Sequence, residues 1–321
     1  MRYFFKRKER NCCCNHVIFT FVLMNTFIQI IRTNKILIQF ALFILLVFIL
    51  IYRINSHDFD KFIFQFDFSL ILAILLMPIN WILEYRKWLA ILNHHTISKT
   101  KAKDSFASGM ISDFIIPGIP SNFLGRIFYF EPNDRIKLTI WVQLSNGIQF
   151  LITLLFGLAS LIILNLTESK FILLSIIVSL FLVFLMISKP GRRLIEKFLT
   201  HEIQMEIKKQ NKNPILLSLF GLSFFRFLIF SIQFALLLNS FGIIQNFSIF
   251  LWIWVSYLFV TLSPSLFMGN LIIRESITAT LFSLGNFAVL PVVSATFLVW
   301  LINNFIPIVL AWLFITFRKS T

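Results

Sequence analysis

A charged side chain within an apolar run is the most informative feature of this sequence. Arg226 lies near the middle of a long apolar run, and a helix would place Ser223, Arg226 and Gln233 in one narrow arc. A charge in hydrocarbon costs about 2.5–3.5 kcal/mol on insertion scales, so it pairs with another group or faces a wet cavity. Two interpretations stay open: Arg226 binds an anionic group such as a lipid phosphate, or it pairs with Glu84 or Glu275.

A polar stripe follows the apolar run 139–164. The stripe residues fall within about 120° of a helical wheel. They are Gln143, Asn146, Gln149, Thr153, Gly157 and Ser160. Such a face either lines a hydrophilic groove or makes interhelical hydrogen bonds, worth about 0.6 kcal/mol each, at a close helix crossing. For any single residue the structural interpretation is favoured.

Charged residues also stand near the end of the run 69–92. Asn80 and Glu84 are four residues apart and share one face of a helix. Arg86 can extend its guanidinium toward the lipid headgroups, whereas Glu84 lies deeper. Both Glu84 and Arg86 are therefore candidates for a substrate groove.

Continuous helix is not expected in two segments, 105–130 and 263–275, because proline, glycine and polar residues interrupt their apolar runs. They contain the similar stretches IIPGIPSNFLGR and SPSLFMGNLIIRE. In transporters, interrupted segments at matching positions of two halves indicate a binding site near the midplane. Helix ends exposed there offer free N–H groups to a phosphate. The candidates in these segments are Asn122, Arg126, Arg274 and Glu275.

The elements that must position these side chains are membrane spans. Of 321 residues, 58% are apolar and 13% are charged, with a mean hydropathy of +0.86, which excludes an ordinary soluble domain. We predict an all-α polytopic transmembrane bundle with about eight spans, each near 20 residues, and two broken or re-entrant segments. The predicted spans are 36–52, 69–92, 139–164, 171–187, 214–239, 247–262, 276–290 and 292–317.

The net charge of +15 follows from basic loops rather than from a nucleic-acid-binding face. The loops 86–103 and 189–213 are basic and are predicted to be cytoplasmic, together with both termini, in a multi-pass protein of the inner (plasma) membrane. Residues 1–23 form an atypical N-terminus, and Met24 is a natural start. Residues 24–321 form one predicted transmembrane domain.

Soluble catalytic signatures are missing from the sequence. It has no Walker A motif, GxSxG, HExxH or GxGxxG, and its three cysteines are adjacent, which favours neither a disulfide framework nor a zinc site. We predict no cofactor, no metal and a transporter-like protein rather than an enzyme. Two alternatives stay open: a membrane enzyme acting on polyprenyl-linked or phospholipid substrates through carboxylates such as Asp104 and Asp113, and a non-catalytic scaffold subunit.

Several motifs, in their order and spacing, resemble one known family. They are Asn80-Trp81, Glu84, Arg86 and Trp88, the segment Pro120 to Gly125 followed by Tyr129-Phe130, Gln143 with Asn146-Gly147, and Ser263-Pro264 with Gly269 and Arg274-Glu275. Residues 36–317 resemble the flippase-like transmembrane region shared by lysylphosphatidylglycerol synthases and their stand-alone relatives. In the synthases this region moves an aminoacylated lipid between leaflets, and a soluble C-terminal domain makes that lipid.

The resemblance implies transport for this chain, because residue 321 follows the last predicted span without a synthase domain. One position departs from the family pattern. Relatives often carry an acidic residue directly after the glycine of the first broken segment, where this chain has Arg126 after Gly125. A carboxylate role at that position is therefore in doubt.

The leading hypothesis is a translocase for lipids or lipid-linked substrates. Its partners would be membrane lipids with an anionic headgroup or a lipid-linked substrate, with no nucleic acid and with oligomerisation left open. The candidate groove comprises Glu84, Arg86, Asn122, Arg126, Gln143, Asn146, Gln149, Arg226, Gln233, Arg274 and Glu275.

Overall fold

A computed structural model of the chain describes five stretches of sequence. They are residues 64–92, 98–115, 121–166, 213–263 and 271–319. Several predicted elements lie outside the described residues: segment 1–23, spans 36–52 and 171–187, and almost all of the basic loop 189–213.

The described residues are helical apart from short connections. The helices are α1 (Phe68–Leu92), α2 (Lys99–Ile115), α3 (Ser121–Ile127), α4 (Pro132–Ile163), α5 (Asn213–Ser240), α6 (Phe247–Leu262), α7 (Leu271–Leu284), α8 (Val289–Trp300) and α9 (Ile306–Lys319). A π-helical turn, Leu301–Phe305, joins α8 to α9 without a break.

Four of the described helical stretches are long and apolar enough to cross a membrane. These are Phe68–Leu92, Lys137–Ile163, Ile215–Ser240 and Val289–Phe317. Helix α6 is also apolar but has only 16 residues. The prediction of an all-α fold is thus confirmed over the described residues, and the four long apolar helices fit a membrane protein. The count of eight spans stays a prediction.

Helices α1 and α5 pack against each other and run antiparallel. Their paired contacts are Ser69 with Asn239, Ala73 with Gln233, and Glu84 with Arg226. Most of the buried side chains that pack around these two helices are aliphatic or aromatic, including the fully buried Leu237, Leu238 and Ala73. The pairing places the polar face of α1 directly against Arg226.

The C-terminal part of the polar stripe on α4 lies where α4 crosses α6. A Cβ atom at Gly157 would meet Leu258 of α6, so the two backbones approach closely there. The hydroxyls of Thr153 and Ser160 donate to carbonyls of their own helix, those of Gln149 and Phe156. For these three stripe positions the structure supports the structural interpretation.

In the first predicted broken segment, α2 is described to Ile115 and α3 from Ser121, and residues 116–120, where proline and glycine are densest, lie outside the described residues. Residues 105–115 belong to regular helix α2. In α3, a Cβ atom at Gly125 would meet the Ser108 carbonyl and the Ser112 hydroxyl of α2. Glycine therefore permits the close contact that fixes the position of the next residue, Arg126.

The end of the second predicted broken segment is regular helix, and residues 264–270 lie outside the described residues. Helix α7 begins at Leu271, so Arg274 and Glu275 lie in its first turns rather than in an irregular segment. The helix ends at Leu284 instead of 290 because Asn286 adopts a left-handed φ of 61°, which terminates right-handed helix.

The start of α1 is tied to the end of α5 by Asp67. Its Oδ1 accepts hydrogen bonds from the Leu70 N–H at 3.0 Å and from the Ser240 hydroxyl at 2.8 Å. Burial raises the pKa of Asp67, but the hydrogen bonds from Ser240 and Leu70 outweigh it, so this pKa lies below its ordinary value.

We predict that Asp67→Ala lowers the free energy of unfolding by about 1 kcal/mol, because it removes an N-terminal cap. Asp67→Asn, which retains an acceptor oxygen, should lose less. Since the folded-state pKa is depressed, the contribution of Asp67 is present above the ordinary carboxyl pKa and is lost as the pH falls through the depressed value. Thermal unfolding in detergent across this pH range measures both effects, and equal unfolding curves for Asp67→Ala and wild type would contradict the assignment.

Candidate functional site

Glu84 is the centre of a buried ion cluster. Its Oε2 lies 2.8 Å from Nη1 of Arg226 and 3.3 Å from Nζ of Lys87, and its Oε1 lies 3.1 Å from Nη2 of Arg126. The side chains of Glu84, Lys87 and Arg126 are almost completely buried, whereas that of Arg226 is 19% exposed. The cluster joins α1, α3 and α5.

The sequence of α1 explains how one helix supplies most of this polar surface. Asn80, Glu84 and Lys87 are spaced at four and three residues, which places all three on one face. All three are buried in an otherwise apolar helix. That face is the one that meets α5.

A chain of amide hydrogen bonds extends the cluster along the bundle. Arg226 Nε donates to Asn80 Oδ1 at 3.0 Å, and Asn80 Nδ2 donates to Asn303 Oδ1 at 3.0 Å. Asn303 Nδ2 donates to Gln233 Oε1 at 2.7 Å, and Gln233 Nε2 donates to the Ala73 carbonyl at 2.8 Å. Each amide is thereby satisfied as donor and acceptor, as a buried polar network requires.

Asn303 belongs to the π-helical turn between α8 and α9. Pro307, four residues later, has no N–H to donate to the Asn303 carbonyl, so a regular helical hydrogen bond cannot form there. Turns of this kind widen the helix and are frequent at functional sites. Here the turn holds the Asn303 amide against α1 and α5.

Aromatic rings surround the guanidinium groups. Cζ of Arg126 lies 4.9 Å from the ring centroid of Phe106 and 5.3 Å from that of Trp88, and Cζ of Arg226 lies 5.3 Å from that of Phe230. Cation–π attraction strengthens when water is excluded. These rings therefore stabilise positive charge where the hydration shell has been lost.

Positive charge exceeds negative charge among the described side chains of the cluster. Lys87 and Arg226 share one oxygen of Glu84, and Arg126 contacts the other. Burying ions is costly unless charge and hydrogen bonding are both matched. Arg226 is the most exposed member of the cluster and is therefore the residue that an anion from outside would contact first.

Four predicted groove residues are brought together in this network. They are Glu84, Arg126, Arg226 and Gln233. Of the two structural partners expected for Arg226, Glu84 is the one found. The position that departs from the family pattern, Arg126, also pairs with Glu84, so it adds a cation where a carboxylate was expected.

The other predicted residues lie elsewhere. Arg86 is exposed on α1, and Gln143 and Asn146 are exposed on α4. Gln149 is half-buried, and its Oε1 has no hydrogen-bond partner among the described residues. Asn122 lies in α3, but its side chain is outside the described part of the structure.

Arg274 and Glu275 follow each other in the first turns of α7, where Glu275 is buried and Arg274 is half-buried. Glu275 is only 9% exposed, and its Oε1 finds no hydrogen-bond partner in the described ranges.

Two central residues, Lys87 and Asn303, were absent from the predicted groove. Lys87 follows Glu84 by three residues, a spacing that places both on one helical face. The signal for Asn303 is weaker: an amide pair, Asn303-Asn304, shortly before Pro307 in an otherwise apolar run.

Compared with family models, curated proteins and solved structures, the chain shows no significant match. The resemblance to the flippase-like region therefore remains a proposal. Within the described ranges, no group of three or more His, Cys, Asp or Glu side chains is arranged to hold a metal ion.

We predict that Glu84→Gln destabilises the fold strongly, by about 3–5 kcal/mol, because it leaves buried cations without their common carboxylate. The matched control is Glu131→Gln. Glu131 is exposed and its side chain makes no capping hydrogen bond, so its loss should change stability little. Thermal or denaturant unfolding of the purified proteins makes the comparison, and equal stability of the two variants would contradict a central role for Glu84.

We also predict that Gly125→Ala destabilises the protein by about 1–3 kcal/mol, because the new methyl group forces α3 away from α2. Gly221→Ala in α5 is the control, since a Cβ atom there meets nothing within 4 Å. That substitution should be neutral or stabilising by up to about 1 kcal/mol through helix propensity. If Gly125→Ala behaves like Gly221→Ala in an unfolding experiment, α2 and α3 do not approach as described.

Proposed function

We propose that this protein is a translocase for anionic lipids or lipid-linked substrates, and that the Glu84 cluster receives the anionic headgroup. The observation that carries the proposal is the buried cluster in which Lys87, Arg126 and Arg226 contact Glu84, with Arg226 partly exposed at its edge. Ionisable residues within a membrane bundle mark substrate pathways more often than other positions do.

Arginine suits this role because its planar guanidinium matches two phosphate oxygens at once. In the described structure Arg226 uses Nε for Asn80 and Nη1 for Glu84. A phosphate that approaches Arg226 therefore competes with internal partners. Such competition supports transport, because a headgroup that replaces Asn80 or Glu84 at Arg226 can itself be replaced by them and released.

The proposed topology has about eight spans in the inner membrane, with both termini in the cytoplasm. Basic loops on one side support this orientation through the positive-inside rule. Glu84 lies in the last third of α1, near the end that leads toward the basic loop 86–103. The cluster would then be closer to the cytoplasmic leaflet, whose anionic lipids are its proposed ligands.

The resemblance to the flippase-like region of lysylphosphatidylglycerol synthases agrees with this proposal. It includes Glu84 at the centre of the cluster, its hydrogen-bonded neighbour Asn80, and the segment that ends at Gly125, directly before Arg126. We propose membership of that family on these grounds.

A second candidate is a non-catalytic scaffold. The amide chain through Asn80, Asn303 and Gln233 favours it, because each of these groups is satisfied internally. In this case the cluster would only stabilise the packing of the helices. The two candidates differ in one measurable respect, because a scaffold would not discriminate between lipid headgroups.

The test uses proteoliposomes with fluorescent phosphatidylglycerol or phosphatidylcholine carrying identical chains. We predict that wild-type protein moves phosphatidylglycerol faster than empty vesicles do. Arg226→Gln should slow this movement about tenfold or more, since charge-assisted hydrogen bonds contribute about 1.5–3 kcal/mol. The control is Arg86→Gln, which removes an exposed arginine from the neighbouring α1 helix.

The scaffold is supported if Arg226→Gln reduces thermal stability while neither lipid moves faster than in empty vesicles. The translocase is supported if the variant remains folded and loses phosphatidylglycerol movement selectively. Equal rates for Arg226→Gln and Arg86→Gln would remove Arg226 from the proposed site.

A further inference from the structure

An apolar groove of about 460 Å³ lies between α1, α2 and α9. Its walls are aliphatic and aromatic side chains, among them Met77, Trp81, Phe106 and Leu310. This volume is within the range of sites that bind small organic ligands. The lining residue Leu310 is 55% exposed, so the groove is open at the surface of the helix bundle.

One aromatic wall separates the groove from the Glu84 cluster. The rings of Trp81 and Tyr85 contact Phe106 edge-on, with centroids 5.9 and 5.1 Å away. The guanidinium of Arg126 lies 4.9 Å from the centroid of the same Phe106 ring. The groove and the buried charges thus share Phe106.

A lysine side chain lines one end of the groove. Trp88 Nε1 donates to Ser105 Oγ at 3.1 Å, and Tyr85 contacts Phe106, so α1 and α2 run antiparallel. Lys103, the charged residue among the described lining side chains, therefore lies at the Tyr85 end. This end is level with Glu84, which precedes Tyr85 in the sequence.

The length of the groove fits a lipid chain. From Met77 to Tyr85, α1 rises by about 12 Å, and one leaflet of the hydrocarbon core is roughly 15 Å thick. The groove runs along α1, as an acyl chain does in a bilayer. An apolar channel with a cation at one end is complementary to a hydrocarbon tail joined to a phosphate.

We propose that this groove binds one hydrocarbon chain of an anionic phospholipid, whose phosphate pairs with Lys103 beside the Glu84 cluster. The identification of the ligand as a lipid rests on the proposed function. Binding in the groove, however, is an equilibrium property and requires no movement between leaflets. It can therefore be measured separately from transport.

The experiment uses the full-length protein in phosphatidylcholine nanodiscs with traces of a photoactivatable phospholipid. The probes are phosphatidylglycerol and phosphatidylcholine with the same diazirine-labelled chain, and cross-linked peptides are mapped by mass spectrometry. We expect phosphatidylglycerol to label the groove walls in preference to phosphatidylcholine. Leu310→Trp fills the groove and should reduce this labelling several-fold.

The control for Leu310→Trp is Leu75→Trp, since Leu75 is 59% exposed on α1 and lies outside the groove lining. Lys103→Gln should reduce the preference for phosphatidylglycerol by about threefold, as expected for an exposed ion pair. The control for charge is Lys101→Gln on the same helix, where Lys101 lies over the Phe130 ring instead.

Labelling that is as strong around Leu75 as in the groove, or that survives Leu310→Trp, would overturn the inference. So would equal labelling by the two lipids in wild-type protein. If groove labelling is specific while lipid movement matches empty vesicles, the proposed translocase fails and the groove assignment stands. If lipid moves but the groove is not labelled specifically, the groove assignment alone fails.

Discussion

The described structure depends on one interaction above all, the contact of the Glu84 carboxylate with Lys87, Arg126 and Arg226. Charges in an apolar bundle are stable only when partners are held at close range. The requirement forces α1, α3 and α5 to meet at one point. Gly125 serves the same requirement, because its lack of a side chain lets α3 approach α2 and positions Arg126. Packing around the cluster follows from this electrostatic constraint.

The helical class and the central charges were predictable from the sequence. Apolar runs of the right length indicate the spans, and the high cost of Arg226 in hydrocarbon predicts a partner such as Glu84. The contribution of Asn303 was harder to predict, because the Asn303-Asn304 pair in an apolar run looks the same whether it faces lipid or protein. The early end of α7 was also missed, since a left-handed Asn286 leaves no periodic signal.

The polar stripe of α4 shows why a helical wheel cannot assign function alone. Its residues share one face on a helical wheel but lie at different positions along the helix axis. Each of these positions has different neighbours. Near Gly157 the neighbour is α6, so small residues serve close packing. At Gln143 and Asn146 the side chains are exposed. One stripe thus combines two environments, and the position along the helix axis decides between them.

The π-helical turn at Leu301–Phe305 sets the register of the last helix. Such a turn accommodates one residue more than regular α-helix does. Because each residue turns the helix by about 100°, deleting one residue from the turn would rotate every side chain of α9 away from α1 and α2. Leu310 would then leave the groove, although its own sequence neighbourhood is unchanged. The extra residue of the π-helical turn thereby determines which side of the last helix packs against the protein.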